Sequence, residues 1–214
     1  MHKKLLAIAV ILLLLTIGTV AGQEGNAPGE PFVPQLRINQ RSLGDQAFAI
    51  TAGLYIPLFT VLLEDWDGTN YTKGATPPHL YPGGAGAITY SVYLSPNWKL
   101  GLQLNGSFSQ DINGNFAYTI PITVKASYEF HPWSRVTIPI FIGTGIAMTS
   151  WKDDNFLVDF ILKPGVGVYF DWSYEWSFGL DFSYLFIPQA GLGGARESSI
   201  GNFLEITLTA EYHF

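Results

Sequence analysis

The chain alternates between apolar and polar residues over eight long stretches, and in each stretch the even-numbered positions are the mainly apolar ones. Residues 115–130 carry apolar or aromatic side chains at eight consecutive even positions, from Phe116 to Phe130. A period of two places such side chains on one face of a β-strand. The pattern therefore predicts eight strands, at Gln46–Phe59, Ala85–Leu94, Lys99–Ser109, Asn115–Phe130, Arg135–Thr149, Phe156–Asp171, Trp176–Ile187 and Asn202–Phe214.

The odd-numbered face of these stretches is mostly polar or small, with residues such as Thr51, Gln103 and Asp171 and many glycines. In a soluble barrel the apolar face would point inward. Eight strands, however, enclose an interior only just wide enough to be filled by side chains, so the bulky even-numbered aromatics belong outside. We therefore predict an all-β fold, an eight-stranded antiparallel up-and-down transmembrane β-barrel with a lipid-facing apolar exterior and a polar interior.

The ionisable residues on the odd-numbered face are predicted to line the lumen of this barrel. Two interpretations remain open: ion pairs fill the lumen and hold the barrel closed, or the many glycines leave volume for a solute path. A tight turn near residues 172–174 would place Lys163 diagonal to Asp181 and predicts a salt bridge between them. The candidate lumen residues are Lys125, Glu129, Asp159, Lys163, Asp181 and Glu205.

Three prolines lie inside predicted strands, at Pro121, Pro139 and Pro164. Proline cannot donate a hydrogen bond to the ladder and normally marks an edge or a bulge. Either each proline sits at a harmless bulge, or the missing hydrogen bonds mark a place where the wall can open laterally.

The predicted connections alternate between short and long. The short ones, Ser95–Trp98, His131–Ser134 and Asp171–Glu175, are rich in turn-forming residues and are expected to face the periplasm. The long ones, Thr60–Gly84 and Pro188–Gly201, are expected to face outward. Four tryptophans lie at or beside the short turns and predict an interfacial aromatic belt; they are Trp98, Trp133, Trp172 and Trp176.

The N-terminal region has the features of an export signal. Lys3 and Lys4 precede an apolar run that is shorter than a membrane-spanning helix requires, and small residues follow at 18–22. We predict a cleaved signal peptide over 1–22, a periplasmic leader over 23–45, and the barrel over 46–214. The chain has no cysteine, so neither disulfides nor a lipid-modified cysteine are expected.

Composition and charge narrow the function. Charged residues make up 13% of the chain, against about 25% in soluble domains. The net charge of -6 argues against nucleic acid as a partner. Neither a metal nor another cofactor is predicted, because histidine pairs with ligand spacing are lacking. Of the four histidines, His79 is the one on an outer loop, and it has no serine at a predictable neighbouring position, so we do not expect an enzyme.

The closing motif of Leu208, Ala210, Tyr212 and Phe214 resembles the terminal recognition strand of bacterial outer-membrane barrels. Over residues 46–214 the chain is similar to small eight-stranded outer-membrane proteins of the OmpA transmembrane-domain, OmpX and OmpW types. The resemblance implies a monomer in the bacterial outer membrane with both mature termini in the periplasm. Its implied partners are outer-membrane lipid and, through the last strand, the barrel-assembly machinery.

Two functions follow from these observations. The OmpW-like resemblance implies a narrow channel that carries small hydrophobic solutes through a sideways opening. The alternative is a non-conducting structural or surface-interaction barrel, of adhesin type, that displays its long outer loops. The sequence leaves both functions open.

Overall fold

The computed structural model describes residues 41–63, 74–151, 157–189 and 198–214. None of the helices in this part is long and apolar enough to cross a membrane. The predicted signal peptide and most of the leader lie outside the described residues. The strands are β1 (Gln46–Leu62), β2 (Gly74–Thr76), β3 (Leu80–Tyr93), β4 (Trp98–Asp111), β5 (Phe116–Trp133), β6 (Val136–Trp151), β7 (Leu157–Asp171), β8 (Trp176–Gln189) and β9 (Ser199–His213).

Eight of these strands close into a barrel. Each long strand pairs antiparallel with its neighbour in the order β1, β3, β4, β5, β6, β7, β8, β9, and β9 pairs with β1. Closure is completed by Gln46 and Phe214, whose backbone groups exchange two hydrogen bonds of 2.9 Å. The short strand β2 pairs antiparallel with Thr60–Leu62 of β1, beyond Tyr55, the last residue of β1 that pairs with β3. The predicted up-and-down topology is confirmed.

The apolar face points away from the barrel axis. On β4, Leu100, Leu102 and Leu104 are 42%, 57% and 46% exposed, whereas the alternating Gln103 and Asn105 are buried. The same parity holds along the other long strands. A surface of this kind is stable only in an apolar solvent, so the fold is that of a transmembrane barrel with a polar interior.

The strands are longer than predicted at the end where the long connections lie, which we call the loop end. The predicted boundaries at Thr60, Gly84, Pro188 and Gly201 are wrong, because β1 continues to Leu62, β3 begins at Leu80, β8 continues to Gln189 and β9 begins at Ser199. Glycine and proline break the alternation there, but the backbone ladder continues because a neighbouring strand is still present on at least one side.

The opposite end of the barrel holds the three short turns, together with the start of the first strand at Gln46 and the end of the last strand near Phe214. We call it the turn end. Trp98, Trp133 and Trp172 are half or more exposed around it, as the predicted aromatic belt requires. Their rings contact other outward aromatics, as in the edge-on pair of Trp98 and Tyr128 with centroids 5.2 Å apart. Tryptophan and tyrosine favour the headgroup region of a bilayer, so this belt marks one membrane boundary.

Candidate functional site: the barrel lumen

The lumen nearest the turn end is filled by a buried ion-pair cluster, which we call the base layer. Lys99 Nζ lies 2.7 Å from Glu129 Oε1 and 2.6 Å from Glu211 Oε1, and all three side chains are buried. Tyr93 donates a hydrogen bond of 3.1 Å to Glu129. Because Lys99 pairs with two carboxylates on strands β5 and β9, it ties separate parts of the wall together. Lys99 and Glu211 are not among the six named lumen candidates, although both lie at inward odd-numbered positions.

Beside the base layer, Ser177 Oγ donates to Asp171 Oδ1 at 2.5 Å and lies 3.0 Å from His213 Nε2. These are the residue types of a hydrolase triad, but the contacts differ: the carboxylate holds the serine, whereas a triad carboxylate orients the histidine. The adjoining cavity measures about 10 Å³, room for about one water molecule and far too little for an organic substrate. The arrangement therefore serves packing better than catalysis.

The middle of the lumen contains a cavity of about 20 Å³, lined by hydroxyl groups together with Lys125 and Asp181. Asp181 Oδ2 accepts hydrogen bonds of 2.7 Å from Tyr169 and Thr209. Lys125 Nζ lies 3.7 Å from the centroid of the Phe141 ring. Within the described residues, Lys125 forms no carboxylate contact under 4.0 Å.

The next layer towards the loop end is organised by Glu205. Lys163 Nζ lies 2.6 Å from Glu205 Oε2, and Asn105 Nδ2 donates to Glu205 Oε1 at 3.0 Å. The predicted pair of Lys163 and Asp181 is wrong. Lys163 stands opposite Leu185 in the continued β7–β8 register, four positions from Asp181, so its ammonium reaches across the lumen to β9 instead. Above this layer, Asp159 accepts a 3.2 Å hydrogen bond from Thr149.

An apolar cluster, which we call the plug, lies in the lumen next to the Glu205 layer, where Tyr55 is the ladder partner of Glu205. It consists of Tyr55, Ala147, Ile161, Leu185 and Ile187, which are 2% exposed or less. Tyr55 stacks on Phe203 with ring centroids 4.8 Å apart. Sequence reasoning missed the plug because it treated the inward face as mostly polar or small. The signal was present where alternation fails, in the unbroken apolar run of residues 184–187.

All six candidate lumen residues occupy inward positions. Five of them are buried, and Lys125 is half-buried. These residues do not form a single site. Glu129 belongs to the base layer, Lys163 pairs with Glu205, and Asp159 lies apart from them near the loop end. The lumen is therefore a stack of separate contacts along the barrel axis.

The three strand prolines interrupt the wall without shifting its register. Among the described residues, the β4–β5 ladder lacks pairs between Leu104–Ile122 and Ser107–Thr119, where Pro121 lies. The β6–β7 ladder has a gap of the same size at Pro139, and the β7–β8 ladder has one at Pro164. A bulge would add a residue to one strand, so these prolines do not sit at bulges. The missing N–H donors explain the gaps.

Register shifts occur instead next to other prolines, at Pro57, Pro82 and Pro132. There the extra residue of a bulge accommodates the proline, as in other sheets. The last strand contains no proline, and the register shift in its ladder with β1 is the one at Pro57. Its outward residues Leu208 and Phe214 are 69% and 57% exposed, Ala210 and Tyr212 lie on the same face, and β9 is paired on both sides.

Comparison with known proteins assigns this chain to a protein family. A protein-family model matches residues 26–212. The chain belongs to that family. An uncharacterized protein of Borreliella burgdorferi is 31% identical over 142 residues, which cover 57% of this chain and 67% of the relative. An uncharacterized protein of Treponema pallidum is 24% identical over 135 residues, which cover 63% of this chain and 60% of the relative. The chain thus spans about two thirds or less of these relatives.

Among solved structures, the chain is similar to Neisserial surface protein A, with a TM-score of 0.49, 12% identity, and coverage of 79% of this chain and 96% of that one. It is also similar to the outer membrane protein OprG from Pseudomonas aeruginosa, with a TM-score of 0.47, 12% identity, and coverage of 82% and 98%. The closed eight-stranded barrel fold of this family member is established by its own strand pairing and outward apolar face.

Proposed function

We propose that this family member is an integral outer-membrane protein whose lumen does not conduct, and that it acts as a structural or surface-interaction barrel. The observation that carries the proposal is the filled lumen. The base layer, the Glu205 layer and the apolar plug occupy the lumen, and each joins strands from different parts of the wall.

The space that remains in the lumen supports this proposal. The two cavities measure about 20 and 10 Å³, room for about one water molecule each, since a water needs a cavity of roughly 10–15 Å³. A hydrated ion or an organic solute would have to separate Lys163 from Glu205 and then pass the plug. Apolar constrictions also exclude water, and with it ions. Transport along the axis would therefore require the lumen to be repacked.

The loop end is the surface that we propose for interactions. β1 and β9 remain paired as far as Leu62 and Ser199, and β8 and β9 as far as Gln189 and Ser199. The connections 63–79 and 190–198 begin at the ends of these strands. A rigid sheet that holds variable loops is a common basis for recognition. We further propose that export by the N-terminal signal places the turn end in the periplasm and the loop end outside.

Two measurements test the proposal. The purified chain is inserted into planar bilayers beside a general porin as a conductance control. In parallel, it is expressed on a non-adherent bacterium whose attachment to epithelial monolayers is counted. We expect no conductance steps, and attachment that disappears when residues 63–79 and 190–198 are both exchanged for short Gly-Ser linkers. Reproducible conductance, or attachment unaffected by the exchange, would contradict the respective part of the proposal.

The ladder gaps favour one further candidate function, lateral passage of small hydrophobic solutes. Pro139 and Pro164 weaken the wall on both sides of β7. Alanine at both positions would restore two N–H donors. Uptake of a hydrophobic solute by liposomes should fall in that double variant if the solute passes there, whereas substitution of Pro188, whose ladder pair with Ile200 is intact, should leave uptake unchanged.

A further inference from the structure

Arg41 closes the turn end of the barrel from outside the strands. It precedes β1, yet it is only 3% exposed. Its Nη1 donates a 2.5 Å hydrogen bond to the backbone carbonyl of Tyr174, in the β7–β8 turn. The guanidinium carbon lies 4.7 Å from the centroid of the Tyr174 ring. A side chain from the segment before the first strand therefore covers the mouth formed by a distant turn.

The surface beneath Arg41 is acidic. The cavity that Arg41 borders is also lined by Glu129, Asp171 and Glu211. Lys99 pairs with both glutamates, whereas Asp171 accepts hydrogen bonds from the neutral hydroxyls of Thr137 and Ser177. Two cations thus face three carboxylates, and apart from the histidines, removal of Arg41 would raise the excess of negative charge in the base from one to two.

The contacts suit a guanidinium group better than an ammonium group. A planar guanidinium can stack on an aromatic ring while its edge donates to a carbonyl in the same plane. Arg41 makes both contacts with Tyr174, and its buried Nη2 has no hydrogen-bond partner within the described residues. That donor remains available for an acceptor at the mouth.

We propose that the turn-end mouth is a guanidinium-binding site that Arg41 occupies as a built-in ligand, and that displacement of Arg41 exposes the acidic base to water and to other guanidinium groups. A partner suited to this site carries an exposed arginine. The proposal is independent of whether the lumen conducts, because the plug and the Glu205 layer lie farther along the axis.

Chemical rescue tests the proposal. The native chain has no cysteine, so Thr137→Cys introduces a single thiol that reports access to the base. In detergent micelles, the labelling rate with a cationic methanethiosulfonate is compared between Thr137→Cys and Arg41→Ala/Thr137→Cys. We expect the second protein to react at least about tenfold faster, because a charge-assisted hydrogen bond and a cation–π contact are lost.

Methylguanidinium at millimolar concentration should then slow labelling of the Arg41→Ala protein and leave the protein with Arg41 unaffected. Methylammonium is the matched control and should protect less. Equal labelling rates with and without Arg41, or equal protection by the two cations, would overturn the proposal.

A second readout does not depend on the cysteine. The thermal midpoint of Arg41→Ala should rise with methylguanidinium, since a ligand that binds the folded state stabilises it. Arg41→Lys keeps the positive charge but lacks the planar guanidinium, so its thermal midpoint should lie between those of Arg41→Ala and the protein with Arg41. A midpoint in Arg41→Ala that does not respond to methylguanidinium would contradict a binding site.

Discussion

Lys163 on β7 and Glu205 on β9 meet at 2.6 Å inside the barrel, although β8 lies between their strands. Both side chains are buried. The pair is therefore a brace across the lumen, whereas most contacts in a sheet join adjacent strands.

Removal of one partner of this pair should be costly. Lys163→Met leaves Glu205 buried with Asn105 as its remaining donor, and loss of one member of a buried pair costs about 3–5 kcal/mol. The free energy of unfolding in urea and lipid vesicles measures the effect. Arg135→Met, at an exposed turn position, is the control and should change it by less than about 0.5 kcal/mol. Similar losses for the two variants would contradict the buried brace.

The plug predicts a contrast between inward and outward leucines. Leu185 is fully buried in the plug, whereas Leu208 is 69% exposed on the outer face. Leu185→Ala should lower the free energy of unfolding by about 2–5 kcal/mol, because it leaves a cavity. Leu208→Ala should cost less, since lipid chains can fill the space. Equal costs in lipid vesicles would show that the inward apolar residues do not form a packed plug.

The glycines provide a test of how tightly the lumen is filled. A Cβ on Gly179 would collide with the ring of Tyr169, whereas one on Gly106 would have no atom within 4 Å. Gly179→Ala should therefore destabilise the barrel by about 1–3 kcal/mol through overpacking. Gly106→Ala, on the outward face of β4, should be tolerated. If Gly179→Ala were equally well tolerated in urea titrations, Tyr169 would not be held in the position described.

A charged residue introduced on the outward face should destabilise the barrel more, the deeper its position lies in the bilayer. Leu102 is outward on β4, and an arginine near the middle of a bilayer costs about 2–4 kcal/mol in a barrel. Leu102→Arg should lose that amount in the free energy of unfolding measured in vesicles. Leu43 is 75% exposed but precedes β1, so Leu43→Arg should have little effect. A small loss at Leu102 would argue against contact with hydrocarbon there.

The sequence allowed the eight strands and their outward face to be predicted, because a period of two is a local property that each strand carries by itself. The partner of Lys163 could not be predicted in this way. It depends on which inward side chains come together after the wall has closed, and a neighbour-strand rule pointed to Asp181. The plug was missed for a related reason: alternation shows which residues face inward but not how apolar the centre of the barrel must be. Arg41 lies outside every alternating stretch and gave no periodic signal.

The most direct test of a lipid-facing exterior around a filled lumen is nitroxide scanning along β4, one residue at a time from Trp98 to Asp111, in lipid vesicles. Collisions with oxygen report exposure to lipid, and collisions with a water-soluble nickel chelate report exposure to water. The account predicts high oxygen and low nickel accessibility at Leu100, Leu102 and Leu104, and low accessibility to both reagents at Gln103 and Ser107. Nickel accessibility at Gln103 and Ser107 would reveal an open pore, and nickel accessibility at the three leucines would contradict a membrane-facing surface.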